Sequence, residues 1–96
     1  MIDGELYVRT SDNAIFAYRA SDVLHECSLT HYACVLDNCV YVKGWNGSMG
    51  RINRGETRPA NETEIESFID KLRIQGFYYN RPNRRVINSI TGYLII

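Results

Sequence analysis

H-Y-A-C-V-L-D-N-C-V-Y-V-K-G-W, residues 31 to 45, sets two apolar runs on either side of Asp37-Asn38. Both turn residues tolerate the left-handed backbone of a tight loop, so the runs are expected to fold back on each other as antiparallel strands. Side chains alternate between the two faces of a strand. A two-residue loop therefore puts Cys34, Leu36, Cys39 and Tyr41 on one face and His31, Ala33, Val35, Val40 and Val42 on the other.

That division decides how the neighbouring cluster is read. Residues 25 to 39, H-E-C-S-L-T-H-Y-A-C-V-L-D-N-C, hold both histidines and all three cysteines of the chain. Structural zinc sites take four thiolate or imidazole ligands, usually in pairs two to four residues apart. Here His25, Cys27, His31, Cys34 and Cys39 form no C-x-x-C pair, and the hairpin sends His31 and Cys34 to opposite faces. Cys34 and Cys39 become diagonal neighbours, roughly 7 Å apart between β-carbons or somewhat less, against about 3.8 Å in an unstrained disulfide. The expectation is reduced cysteines that serve packing, with no metal and no cofactor.

Working outward, N-A-I-F-A-Y-R-A (13 to 20) alternates Ala14, Phe16, Tyr18 and Ala20 against Ile15 and Ala17, and E-L-Y-V-R before it is rich in strand formers. The intervening T-S-D-N is a turn, which makes a first hairpin. S-D-V-L-H-E-C suggests at most a short helix capped by Ser21. In K-G-W-N-G-S-M-G-R, Asn46-Gly47 is a strong hairpin signal, so strand 39 to 45 is expected to pair again with 48 to 53. The same loop lacks the G-K-[ST] ending and the following helix of a phosphate-binding loop.

From residue 61 the period changes. Ile65, Phe68, Ile69 and Leu72 fall at i, i+3, i+4 and i+7, one stripe of an amphipathic helix over about 61–75. Asn61 and Glu64 have the spacing of a capping box, acidic residues occupy the first turn, Lys71 and Arg73 the last, and Gly76 suits the left-handed stop. F-Y-Y-N-R-P-N-R-R-V-I-N-S-I then gives a strand, a turn at Arg81-Pro82-Asn83-Arg84 and a second strand. The predicted architecture is α+β: an antiparallel β-meander of about five to seven strands, one helix packed on one face, and a C-terminal hairpin.

Ninety-six residues with 45% apolar and 23% charged content suit a single domain spanning 1–96. Lysine plus arginine and aspartate plus glutamate both total 11, so there is no net charge. The halves differ: residues 1 to 50 carry three basic groups against six acidic, and residues 51 to 96 eight against five. Such asymmetry signals either a basic binding face or two halves that attract each other. The start, M-I-D-G-E-L-Y-V-R, does not have the pattern of a secretory signal, and no apolar run is long enough to span a membrane, so a cytoplasmic location without membrane attachment is expected.

The segment from Arg58 to about residue 86 also resembles small uncharacterised proteins of gut bacteria, their mobile elements and phages. Those proteins carry an Arg-x-Ala-Thr stretch, acidic residues, a helix, then Gly-aromatic-x-aromatic and a basic turn. The matching positions are Arg58, Ala60, Glu62, Glu64, Phe68, Leu72, Gly76, Phe77, Tyr79, Arg84 and Arg85, with Asn61 in place of the threonine and Tyr79 where tryptophan is common. The resemblance implies a phage or mobile-element background and brings no reaction with it.

Two binding surfaces remain. Tyr93, Leu94, Ile95 and Ile96 are strongly apolar and would be an aggregation liability if left bare, so they are expected either to close the sheet as a strand or to serve a partner through protein–protein contact or as a homo-oligomer. Arg51, Arg54, Arg58, Arg81, Arg84 and Arg85, with Tyr78 and an exposed Trp45, would make an alternative nucleic-acid face, unless the arginines pair with nearby acidic groups. The acidic residues of the helix start are explained by its dipole, and no nucleophile sits in a catalytic context, so no enzymatic activity is expected.

Overall fold

Asp37 and Asn38 both adopt left-handed backbone, with φ of 50° and 65°. The two-residue loop they form pairs Leu36 with Cys39, Val35 with Val40, Cys34 with Tyr41 and Ala33 with Val42. In a computed structural model that describes residues 2–19, 28–42, 52–53 and 57–92, this hairpin is one end of a larger sheet. The elements are β1 (Leu6–Arg9), β2 (Ala14–Arg19), β3 (Ser28–Leu36), β4 (Cys39–Val42), β5 (Ile52–Asn53), β6 (Thr57–Pro59), α1 (Glu62–Ile74), β7 (Phe77–Asn80) and β8 (Arg85–Asn88).

The main sheet runs β4-β3-β2-β1-β6, and all its neighbours are antiparallel. Strand β5 does not extend the meander from β4 as the sequence led us to expect. Ile52 and Asn53 pair instead with Leu29 and Ser28 of β3. The reason is length: β4 occupies only the stretch of β3 from Ala33 to Leu36, and the beginning of that nine-residue strand can accept another partner. Both the Asn46-Gly47 turn and the short helix suggested at Ser21 lie outside the described residues.

Register between β2 and β3 shifts once. Ala17 faces Ala33 but Tyr18 faces His31, which leaves Tyr32 as the extra residue of a bulge. The alternation that carried His31 onto the Ala33 face is therefore broken at Tyr32, and the side chain of His31 lies outside the described residues.

Strict alternation elsewhere makes the sheet apolar on both faces. One face presents Leu6, Val8, Ile15, Ala17, Ala33, Val35, Val40 and Val42, and these form one core with Ile65, Phe68 and Leu72 of α1 and Phe77, Tyr79 and Val86 of the C-terminal hairpin. Ile69, the fourth member of the helical stripe, packs against that core half-buried. The opposite face holds Ala14, Phe16, Tyr18 and Cys34, flanked by Tyr7, Leu36 and Tyr41. Burying a side chain such as Phe68 or Leu72 stabilises by roughly 1.5 to 3 kcal/mol before chain entropy is counted.

Helix α1 ends where its sequence says it should. The Asn61 side chain accepts the Glu64 N–H at 2.9 Å, and the Glu64 carboxylate accepts the Asn61 N–H at 2.9 Å. At the other end Gly76 takes φ 87°. That turn feeds β7, which pairs only with β8 among the described strands.

What ties this hairpin to the sheet is a close backbone approach at Gly4. Gly4 has φ 79°, donates its N–H to the Tyr18 carbonyl at 2.9 Å and accepts the Tyr79 hydroxyl at 2.6 Å. Burial of Tyr79, with the Glu5 carboxylate adding to it, pushes the phenol up to about 12, so it stays a donor. A β-carbon on Gly4 would lie 1.9 Å from the Arg84 carbonyl oxygen. Gly4→Ala must therefore move backbone and also hold a strained φ, a loss on the order of 3 kcal/mol. Chemical denaturation measures it; a midpoint equal to that of the unmodified chain would rule out this docking.

Candidate functional site

The first turn of α1 gathers charge from three parts of the chain. Arg58 on β6 reaches Glu64 with two bonds of 2.8 Å, while Arg81 in the β7–β8 turn reaches Glu62 with bonds of 2.8 and 2.5 Å. The Arg58 guanidinium beside Glu64 and the Arg81 guanidinium beside Glu62 hold both carboxyls below their ordinary range. Both pairs are solvent-exposed to varying degrees, so their value lies in positioning more than in stability.

These pairs remove two arginines from the basic face anticipated in the sequence. They also settle how the charge asymmetry is used among the described residues. Arg9–Asp12 lies within the acidic half, and Arg58–Glu64, Arg81–Glu62 and Arg73–Asp70 lie within the basic half. No ion pair joins the two halves there.

Arg84 and Arg85 are exposed and make no ion pair among the described residues. The register of the hairpin, Tyr78 opposite Ile87 and Asn80 opposite Arg85, puts Tyr78 and Arg85 on its outer side, while Phe77, Tyr79 and Val86 turn to the core. Tyr78 is 46% exposed. Of the remaining anticipated residues, Trp45, Arg51, Arg54, Tyr93, Leu94, Ile95 and Ile96 lie outside the described residues.

Cys34 sits where the hairpin predicted it, on the face shared with Leu36 and Tyr41 and directly opposite the latter. Burial pushes its thiol up to about 12, so it is protonated near neutral pH. Cys34 and the exposed Cys39 are both free thiols. His25 and Cys27 lie outside the described residues, and among the described ones no three His, Cys, Asp or Glu side chains come together as a metal site. No helix among them is long and apolar enough to cross a membrane.

Sequence reasoning missed one surface. Ile74 and Ile90 are the most exposed large apolar side chains among the described residues, at 77% and 87%. The Ser89 N–H and hydroxyl both donate to the Gly76 carbonyl, at 2.8 and 2.7 Å, which folds the turn after β8 onto the end of α1. Ile90 Cδ1 consequently lies 3.8 Å from where a Gly76 β-carbon would be. A signal existed for Ile74: it falls off the i, i+3, i+4, i+7 stripe that starts at Ile65. Nothing in the local sequence marks Ile90.

No family model, no curated protein and no solved structure matches the chain.

Two outcomes follow from the protonation states. Glu64 is held below its ordinary value of 4.5, so its bond to Arg58 adds stability above that pH, and the contribution disappears as pH falls through the lowered value. The stability difference between the unmodified chain and Glu64→Gln, measured by denaturation across pH, should be widest at neutral pH and close under acid. A difference that widened under acid would contradict the pairing. In the native protein at pH 8, iodoacetamide should alkylate Cys39 and leave Cys34 unmodified in peptide mass spectra.

Proposed function

We propose that this chain is a small accessory protein of phage or mobile-element background that acts in the cytosol by binding another protein, without catalysis. The observation that carries this reading is the exposure of two isoleucines, Ile74 in the last turn of α1 and Ile90 in the turn that hydrogen bonds fold onto the Gly76 carbonyl just after it. Isolated exposed apolar residues are ordinary on protein surfaces. Here, however, the sequence runs on from Gly92 directly into Tyr93-Leu94-Ile95-Ile96, so apolar residues accumulate on one stretch of chain.

Supporting this reading among the described residues are the burial of Cys34 and the engagement of Glu62 and Glu64 in ion pairs with Arg81 and Arg58. Docking through the helix end and the apolar residues 93 to 96 that follow in the sequence takes either a second copy or a different protein. Light scattering over a range of concentrations separates the two, because a homo-oligomer changes mass with dilution.

Ile74→Asp combined with Ile90→Asp leaves the core residues untouched. We expect the double variant to fold and to lose at least tenfold in affinity, whether for itself or for a partner identified by affinity purification and rebound in purified form. If neither this variant nor a chain lacking residues 93 to 96 is weakened in both measurements, the contact lies elsewhere and the proposal fails.

A further inference from the structure

The outward side of α1 repeats with the period of its buried stripe. Thr63, Glu66, Asp70 and Ile74 stand at i, i+3, i+7 and i+11, turned away from Ile65, Phe68 and Leu72, and all four are exposed. Three of them are polar, as a solvated face requires. Ile74 is the exception at 77% exposure, although a lysine or glutamine there would hold the helix as well. Ile90 adds bare apolar surface against Gly76, two residues beyond Ile74.

The charges beside Ile74 narrow what can cover it. Asp70 and Arg73, both largely exposed, pair with each other at 3.2 Å. Glu66 and the half-buried Lys71 make no ion pair among the described residues. From Glu66 to Arg73 the helix therefore carries two acids followed by two bases, which sum to zero. A strongly acidic or strongly basic partner would meet as much like charge as unlike. An antiparallel second copy would not, because reversal sets the acids of one helix beside the bases of the other. The chain as a whole, with 11 charges of each sign, presents no net repulsion to its own copy.

Resting on the protein-binding role given above, we propose that the partner is a second copy of this chain, docked through the outward side of α1. Ile74 is buried in the contact, and Glu66, Asp70, Lys71 and Arg73 pair across a two-fold axis. An isologous contact needs one patch that complements itself, and the order of charges along α1 supplies it. The buried stripe of the helix takes no part, so each copy keeps its own core.

Sedimentation velocity of the full chain over a range of concentrations reads the association. Thermal melting checks that each variant folds, which exposed charges of this kind should permit. The unmodified chain should shift toward a dimer as concentration rises. Asp70→Arg makes the face net basic and Arg73→Asp makes it net acidic, so each variant alone should associate roughly tenfold more weakly. Mixed in equal amounts, the two should form a mixed dimer as tight as the original, and Ile74→Ser in both chains should abolish it. The second copy is overturned if the unmodified chain stays monomeric throughout, if either charge variant self-associates undiminished, if the mixture does not associate, or if Ile74→Ser leaves it unchanged. The wider protein-binding role is read separately: a monomeric chain that binds a different purified partner, and loses it with Ile74→Asp and Ile90→Asp, keeps that role and loses only the second copy.

Discussion

A sheet that is apolar on both faces must be covered on both, and most of this structure answers to that constraint. Val, Ile, Leu and Ala side chains line one face of β1 to β4, and aromatic side chains with Cys34 dominate the other. On the first face Ala17 and Ala33 are directly paired, and these two small side chains share one core with the bulky Phe68 and Leu72. Helix α1 fits because its own stripe supplies the bulk that the strands lack. Phe68 then meets Tyr79 edge-to-face, with ring centroids 5.5 Å apart, which links the helix to the hairpin behind it.

The hairpin is held in a different way from the helix. Its side chains share the common core, but its turn is positioned by backbone contact: Gly4 against Arg84, and Gly4 again as acceptor for Tyr79. A residue near the start of the chain thus sets where residues 79 and 84 sit. Since Arg81 also binds Glu62, the turn is fixed from the N-terminal side and from the helix, with Tyr78 and Arg85 on the exposed outer side of the hairpin.

Much of this was legible because it depends on near neighbours in the chain. The Asp37-Asn38 loop, the two-sided alternation around Cys34, the Asn61–Glu64 cap and the Gly76 stop each involve residues at most a few positions apart, and each stands where the sequence placed it. The register between β2 and β3 was not legible, because a bulge at Tyr32 depends on which residue across the sheet is met after Ala17 and Ala33. Nor was the pairing of β5 with β3, since it joins strands that are not neighbours in the chain.

By itself, then, the sequence determined the α+β class, the helix and its ends, and the faces of its strands, since periodicity and capping act over a single turn or a single pleat. Only the tertiary structure decided which arginines were available. Arg58 and Arg81 look no different in the chain from Arg84 and Arg85, yet folding brings carboxylates of α1 within 2.8 Å of the first two and none to the others. It also left Ile74 and Ile90 bare, with hydrogen bonds from Ser89 to the Gly76 carbonyl folding the turn that carries Ile90 onto the end of α1. Charge and apolar surface become sites only when long-range packing settles which groups are satisfied internally and which are left to a partner.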